Sequence, residues 1–188
     1  MNPNNQTPDF FIQKPDNKPK CQVELTMKPM DETHAALICQ WAYEPPYHIY
    51  NFPAWEDMKK DEIEFGDPVL RKEQYWVAVN EAEELIGYAQ LFPMGGVTRL
   101  GLGLRPDLCG RGKGSLLAQS AASLALSLKP GNEIDLEVLT WNQRAIRAYE
   151  KAGFVTTDTY FRFLLQGDTG ECHCMVFTPD YRCYPQTK

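Results

Sequence analysis

The 188-residue chain has no long apolar run. Its longest uninterrupted apolar stretches, such as Tyr75 to Val79, fall far short of the ~20 largely apolar residues that a membrane-spanning helix needs. The N-terminus shows no apolar stretch of signal-peptide type; Phe10 to Ile12 is all it offers. Positive charge is also scarce. Nineteen Lys and Arg against 25 Asp and Glu leave a net charge of −6, whereas a general nucleic-acid binder is usually basic. Neither a nucleic acid nor a membrane is therefore expected as a partner. No internal repeat is evident. The six cysteines show no CxxC spacing of the kind zinc sites favour. In Cys172-His173-Cys174, strand alternation sends the thiols to one face and the imidazole to the other, so no metal site is expected.

With 43% apolar and 12% aromatic residues, a sizeable core is possible and a wholly disordered chain is excluded. The chain is too large to depend on disulfide staples, so its cysteines read as mostly reduced and its location as cytoplasmic. Residues 1–20, with four of the fourteen prolines and four asparagines, read as a flexible tail. Residues 21–188 read as a single domain.

Periodicity then assigns the elements. Gln22 to Met27 alternates as a strand. Asp31 caps a helix whose apolar face is Leu37, Ile38 and Trp41, ended by Pro45-Pro46. Trp55 to Phe65 is a second, acidic helical segment, stopped by Gly66 and Pro68. Strands follow at Gln74 to Val79, Leu85 to Phe92 and Val97 to Leu104. A helix over Ser115 to Lys129 carries Leu117, Ala121, Leu124 and Leu128 on one face. After a strand at Glu133 to Leu139, Asn142 caps a helix that Gly153 closes as a left-handed C-terminal residue. Phe154 to Leu165 and Cys172 to Phe177 are the last strands. The order implies an α+β fold with a mixed sheet, not a regular βαβ alternation.

Chemistry is concentrated in Leu102 to Leu116, LGLRPDLCGRGKGSL: a strand end, a glycine-rich loop and a helix start. A helix N-terminus presents unpaired N–H groups and partial positive charge. Glycines let the backbone come close to an anion. The combination is a phosphate cradle, with Arg111 and Lys113 at its rim. A GxxxxGK(S/T) nucleotide loop fails, because Gly114 follows Lys113. A GxGxxG fingerprint fails, because the third glycine would fall at Ser115.

The stretch resembles the pyrophosphate loop of the GNAT N-acetyltransferase superfamily, R/Q-x-x-G-x-G/A, three residues after a strand-ending proline. Pro106, Gly112 and Gly114 match; Cys109 replaces the Arg or Gln. Beginning 28 residues beyond Gly114, Asn142, Ala145, Tyr149, Lys151, Gly153 and Phe154 match the family's second block, N-x-x-A-x-x-x-Y-x-K-x-G-F. The segment WAYEPPYHIYN, from Trp41 to Asn51, is similar to a subgroup with W-x-Y-x-x-x-Y-x-x-Y.

The resemblance implies a mixed, mostly antiparallel sheet of about seven strands with about four helices. It implies transfer of acetyl from acetyl-CoA to a primary amine by direct attack on the thioester. Main-chain groups of Leu102 and Leu104 would pair with pantetheine, Gly110, Arg111, Gly112, Lys113, Gly114 and Ser115 would hold the pyrophosphate, and Asn142 would also touch the cofactor. Tyr149 is the implied acid for the departing thiolate; the alternative is a core-facing aromatic. Glu137 is the implied base, against an ordinary solvated or ion-paired strand residue, with Glu44, Asp57 or a water chain as other bases. A fourth-strand N–H near Leu104 would meet the oxyanion.

The aromatics from Trp41 to Trp55 either wall the acceptor site or bury the loop itself. Cys109, just before a helix N-terminus, is expected to have a lowered pKa and to react with thiol reagents. The acceptor, a small molecule or a protein amine, is not readable, and a homodimer is compatible with the family's habits. The rival function is a non-catalytic acyl-CoA-binding module.

Overall fold

The computed structural model describes residues 25–163 and 169–178; the tail expected over residues 1–20 lies outside them. In chain order the elements are β1 (Thr26–Pro29), α1 (Glu32–Ile38), α2 (Trp55–Lys60), α3 (Pro68–Gln74), β2 (Tyr75–Val79), β3 (Leu85–Met94) and β4 (Val97–Leu104). Then come α4 (Lys113–Leu128), β5 (Glu133–Leu139), α5 (Gln143–Ala152), β6 (Phe154–Phe163) and β7 (Thr169–Phe177). The strands form one sheet in the order β1-β2-β3-β4-β5-β7-β6. Every pair is antiparallel except β4 with β5. This is the expected mixed, mostly antiparallel α+β arrangement.

Alternation along the strands divides the core in two. Tyr75, Val77 and Val79 of β2 pack with Ile38, Met58 and Phe65 under α1 to α3. Ala89, Leu91, Leu100, Ile134 and Leu136 turn to the other face, under α4 and α5. The buried stripe of α4 is Leu117, Ala118, Ala121, Ala122 and Ala125, whose small side chains let the helix close onto the sheet. Leu128, expected on that face, is 47% exposed.

α3 adds a helix to the expected four. Gly66 and Pro68 read as stop signals, but Asp67 starts a new helix there. Its carboxylate accepts from the N–H groups of Val69 (2.7 Å) and Leu70 (3.3 Å). Pro68 occupies the first helical position, where a missing N–H costs nothing.

The parallel pair is short. Val97 to Leu100 matches Glu133 to Leu136, and there the pairing ends. β4 nevertheless runs to Leu104, held on β3, while β5 runs to Leu139, held on β7. The sheet therefore splits into a fork, each arm kept straight by its outer neighbour.

Candidate active site

The fork opens toward the glycine loop. Arg105 N–H donates to Ile86 O (2.9 Å), a bond across to β3. By antiparallel alternation the main-chain groups of Leu102 and Leu104 then point away from β3, into the fork. Beyond Leu104, a turn at Pro106–Leu108 leads to Gly110 and Gly112, both with positive φ (76° and 75°). Gly112 is the N-cap of α4 and offers no side chain to the helix's free N–H groups. Nothing lies within 4 Å of where a Cβ would stand at either glycine, so the demand for glycine here is conformational. Gly114 differs: a Cβ there would come 3.2 Å from Ala148 Cβ, so this glycine lets α4 and α5 meet. Ser115 Oγ donates to Gly112 O (3.3 Å). Arg111 N–H is spent on Leu108 O (3.3 Å), which leaves its guanidinium as its share of the rim, beside Lys113.

The aromatic segment from Trp41 to Trp55 is split between the core and the fork. Trp41, Phe52 and Trp55 pack into the core around Phe65 and Tyr88. The tyrosines face the fork instead. Tyr43 OH donates to Leu104 O (2.8 Å). Tyr50 OH accepts from Asn142 Nδ2 (3.3 Å), and Tyr47 lies against Trp141 with the Arg144 guanidinium 3.8 Å over its ring. Asn142 caps α5 through its Oδ1, which accepts from Ala145 N–H (3.2 Å).

Tyr149 projects from α5 into this cluster, its ring 6.1 Å from Phe154. Its hydroxyl has no hydrogen-bond partner among the described residues and lies within electrostatic reach of Tyr43, Tyr50 and Tyr88. Burial, then the neighbouring Tyr50, pushes its phenol above the ordinary tyrosine range.

Glu137 stands where the fork begins, on the sheet face opposite α4. Its Oε1 accepts from Arg99 Nη1 and from Tyr160 OH, and its Oε2 from Arg162 Nη1. Arg99 also clamps Asp135, Nε to Oδ1 (3.0 Å) and Nη2 to Oδ2 (2.6 Å). The cluster borders a cavity of about 250 Å³, to which β3 gives Gln90 and Phe92, β4 Arg99 and Gly101, β5 Glu137 and β6 Arg162. No hydrogen bond joins Glu137 to Tyr149 among the described residues. The partners Arg99, Tyr160 and Arg162 and the tyrosines' bonds to the fork were not anticipated. The alternation of Asp135 and Glu137 signalled a charged face without naming what opposes it.

Cys109 departs from expectation. Its thiol pKa is raised, because burial outweighs the nearby Arg144. Cys39, Cys109, Cys172 and Cys174 are free thiols. Cys174 Sγ lies 3.7 Å from Asp135 Oδ2, while His173 Nδ1 meets Thr159 Oγ1 (2.7 Å). No group of three metal-ligating side chains occurs among the described residues, and no helix among them is long and apolar enough to cross a membrane.

A sequence model described as the acetyltransferase (GNAT) family matches residues 34–154, well over half of the chain. No curated protein matches it. Among solved structures, the spermidine N-acetyltransferase from Vibrio cholerae in complex with CoA and spermine superposes with a TM-score of 0.68 at 17% identity, covering 83% of this chain and 96% of that one. AAC(6')-Ib in complex with paromomycin and acetyl-CoA gives 0.67 at 24% identity, covering 87% and 99%.

Proposed function

Because the chain belongs to the GNAT acetyltransferase family, we propose that it transfers acetyl from acetyl-CoA to a small-molecule primary amine by direct attack of the amine on the thioester. The proposal includes a single acetyltransferase domain over residues 21–188 and a cytoplasmic location, where thiols stay reduced. The observation that carries it is the fork itself: an unpaired strand edge on β4 ends at the uncapped N-terminus of α4. An extended amide chain with a pyrophosphate at one end fits that edge and that helix end together. Of the similar structures, one is a spermidine N-acetyltransferase and the other holds paromomycin beside acetyl-CoA, and this favours a small acceptor.

Acetyl-CoA supplies the thioester carbon and a thiol leaving group. Leu102 and Leu104 orient it through their main-chain groups, as an added strand would be held. Free N–H groups at the start of α4, together with Arg111 and Lys113, balance the pyrophosphate against the chain's overall charge of −6. Asn142 fixes the start of α5 and, through Tyr50, the loop facing it. Tyr149 then stands protonated, with no competing hydrogen-bond partner among the described residues, ready to donate to the departing sulfur. Glu137, at the closed end of the fork, is the group that receives the amine proton.

Release of free thiol from acetyl-CoA with a panel of amines tests the proposal. Turnover with at least one amine is expected. Tight CoA binding with no turnover for any amine would instead identify a non-catalytic acyl-CoA-binding module.

A further inference from the structure

The cavity at the closed end of the fork holds charges whose arrangement restricts the acceptor, provided the acetyl-transfer reading is correct. Its volume of about 250 Å³ lies below the ~300–1,000 Å³ of usual small-molecule sites. There is room for an acceptor of amino-acid size. Two guanidiniums, Arg99 and Arg162, meet two carboxylates, Asp135 and Glu137. Asp135, its side chain only 6% exposed, is spent on both prongs of Arg99. The third Arg99 contact goes to Glu137 Oε1, which Tyr160 shares. Arg162 is different: its side chain is 46% exposed, and among the described residues only its Nη1 is engaged, on Glu137 Oε2.

A polyamine brings only positive charge and would meet no unopposed carboxylate among the described residues that line the cavity. An amine that also carries a carboxylate has a group for each of two lining side chains, Arg162 and Gln90. Its carboxylate can take the open edge of the Arg162 guanidinium, a geometry that arginine binds in a two-pronged manner. Its ammonium can face Gln90 Oε1, over Gly101, where Gln90 is held by its Nε2 bond to Gln74 Oε1 (3.1 Å). We infer that the acceptor is a small zwitterion of the α-amino-acid class and that Arg162 reads its carboxylate.

The same contact prepares the base. Among the described residues Glu137 Oε2 is held by Arg162 alone, so a substrate carboxylate that draws Arg162 outward leaves that oxygen free. Glu137 then takes one proton from the ammonium. The nitrogen pair forms the N–C bond to the thioester carbon, and the C–S bond breaks with its electron pair on sulfur. Sulfur takes the Tyr149 proton, and the second amine proton, passed through solvent, restores Tyr149. The proton on Glu137 leaves to bulk water. The products are the N-acetyl amino acid, free CoA and one proton.

The test measures thiol release with α-amino acids, their decarboxylated amines and spermidine, in wild-type, R162M and R162K proteins, with CoA affinity followed calorimetrically. For the wild type, kcat/KM should be at least tenfold higher for the amino acid than for its decarboxylated counterpart. R162M should raise KM for the amino acid tenfold or more, far beyond any change for the decarboxylated amine, and R162K should restore part of the preference. Spermidine as the better acceptor, or equal kcat/KM for the acid and its decarboxylated form, overturns the zwitterion and leaves acetyl transfer standing. An equal loss on both substrates in R162M overturns the role of Arg162. No turnover with any amine, with CoA still bound, overturns both readings.

Discussion

Replacing Tyr149 with Phe separates chemistry from packing, because the structure predicts opposite outcomes for the two. The ring stays in place: it packs against the α4/α5 core and lies 6.1 Å from Phe154, and Phe keeps those contacts. The hydroxyl makes no hydrogen bond among the described residues, so removing it orphans no partner. The large cost of deleting a bonded group does not arise. Stability should therefore change by no more than ~0.5 kcal/mol, and CoA affinity should hold within about twofold, since the cradle and Leu104 lie elsewhere. Turnover should fall by about 100-fold, the lower end for loss of a general acid and equivalent to ~2.7 kcal/mol of barrier. The pH profile supplies a second readout. Burial raises the phenol pKa, the protonated form is the active one, and a raised pKa keeps it so as pH climbs. No alkaline loss of kcat traceable to Tyr149 should appear up to about pH 10, where an ordinary phenol would already be half ionised. Thiol-release kinetics across pH, calorimetric CoA binding and thermal melts on Y149F measure all three. An unchanged kcat would refute the acid role, and a large fall in melting temperature with normal kcat would make Tyr149 a core aromatic.

Gly112→Val should weaken CoA binding about tenfold or more in calorimetry, because φ of 75° strains a β-branched residue by ~1–3 kcal/mol although nothing crowds its Cβ; unaltered affinity would mean the cradle lies elsewhere. Glu137→Gln leaves Arg99 and Arg162 without a shared counter-charge in a site where the carboxylate side chain is 11% exposed, so denaturant melts should show a loss of about 2–3 kcal/mol alongside the fall in activity; full stability would show the network to be solvated and weak. Cys39, whose thiol burial pushes up to about 11, should be alkylated at pH 8 about 100-fold more slowly than a thiol of ordinary pKa near 9.0, as peptide mapping after iodoacetamide treatment would report.

Local signals were legible in the sequence and long-range ones were not. Asn142 as a cap and Gly153 as a left-handed stop both depend on neighbours a few residues away, and both stand where their spacing placed them. The positive φ of Gly110 and Gly112 has the same local origin. α3 escaped because Gly66 and Pro68 punctuate one helix and begin another, and only Asp67 between them distinguishes the cases. The buried stripe of α4 leaves out Leu128 because burial follows the sheet beneath, which selects alanines over the more apolar leucines. The partners of Glu137 come from two other strands, Arg99 on β4 and Arg162 on β6. Alternation told which face Glu137 occupies, but only strand order tells which side chains share that face.

The loop from Trp41 to Trp55 explains how the fork can stay open at a defined width. Its bulky aromatics Trp41, Phe52 and Trp55 anchor it in the core beside Phe65 and Tyr88. Its tyrosines then reach the two arms separately. Tyr43 bonds Leu104 O at the end of β4, while Tyr50 bonds Asn142 and Tyr47 packs on Trp141, just past the end of β5. One loop thus holds both arms, and neither arm needs to pair with the other. Each bond is worth about 1 kcal/mol, so losing one would loosen the mouth without unfolding the sheet. The Leu104 carbonyl has two lone pairs. Tyr43 takes one, and the thiol of Cys109 is a weak second donor at 3.8 Å that also reaches Arg105 O, so an amide N–H of an inserted chain would displace only that thiol. The aromatic segment and the glycine loop, 60 or so residues apart in sequence, therefore meet at a single backbone carbonyl. That is a physical reason for a W-x-Y-x-x-x-Y-x-x-Y pattern to accompany a fork of this kind.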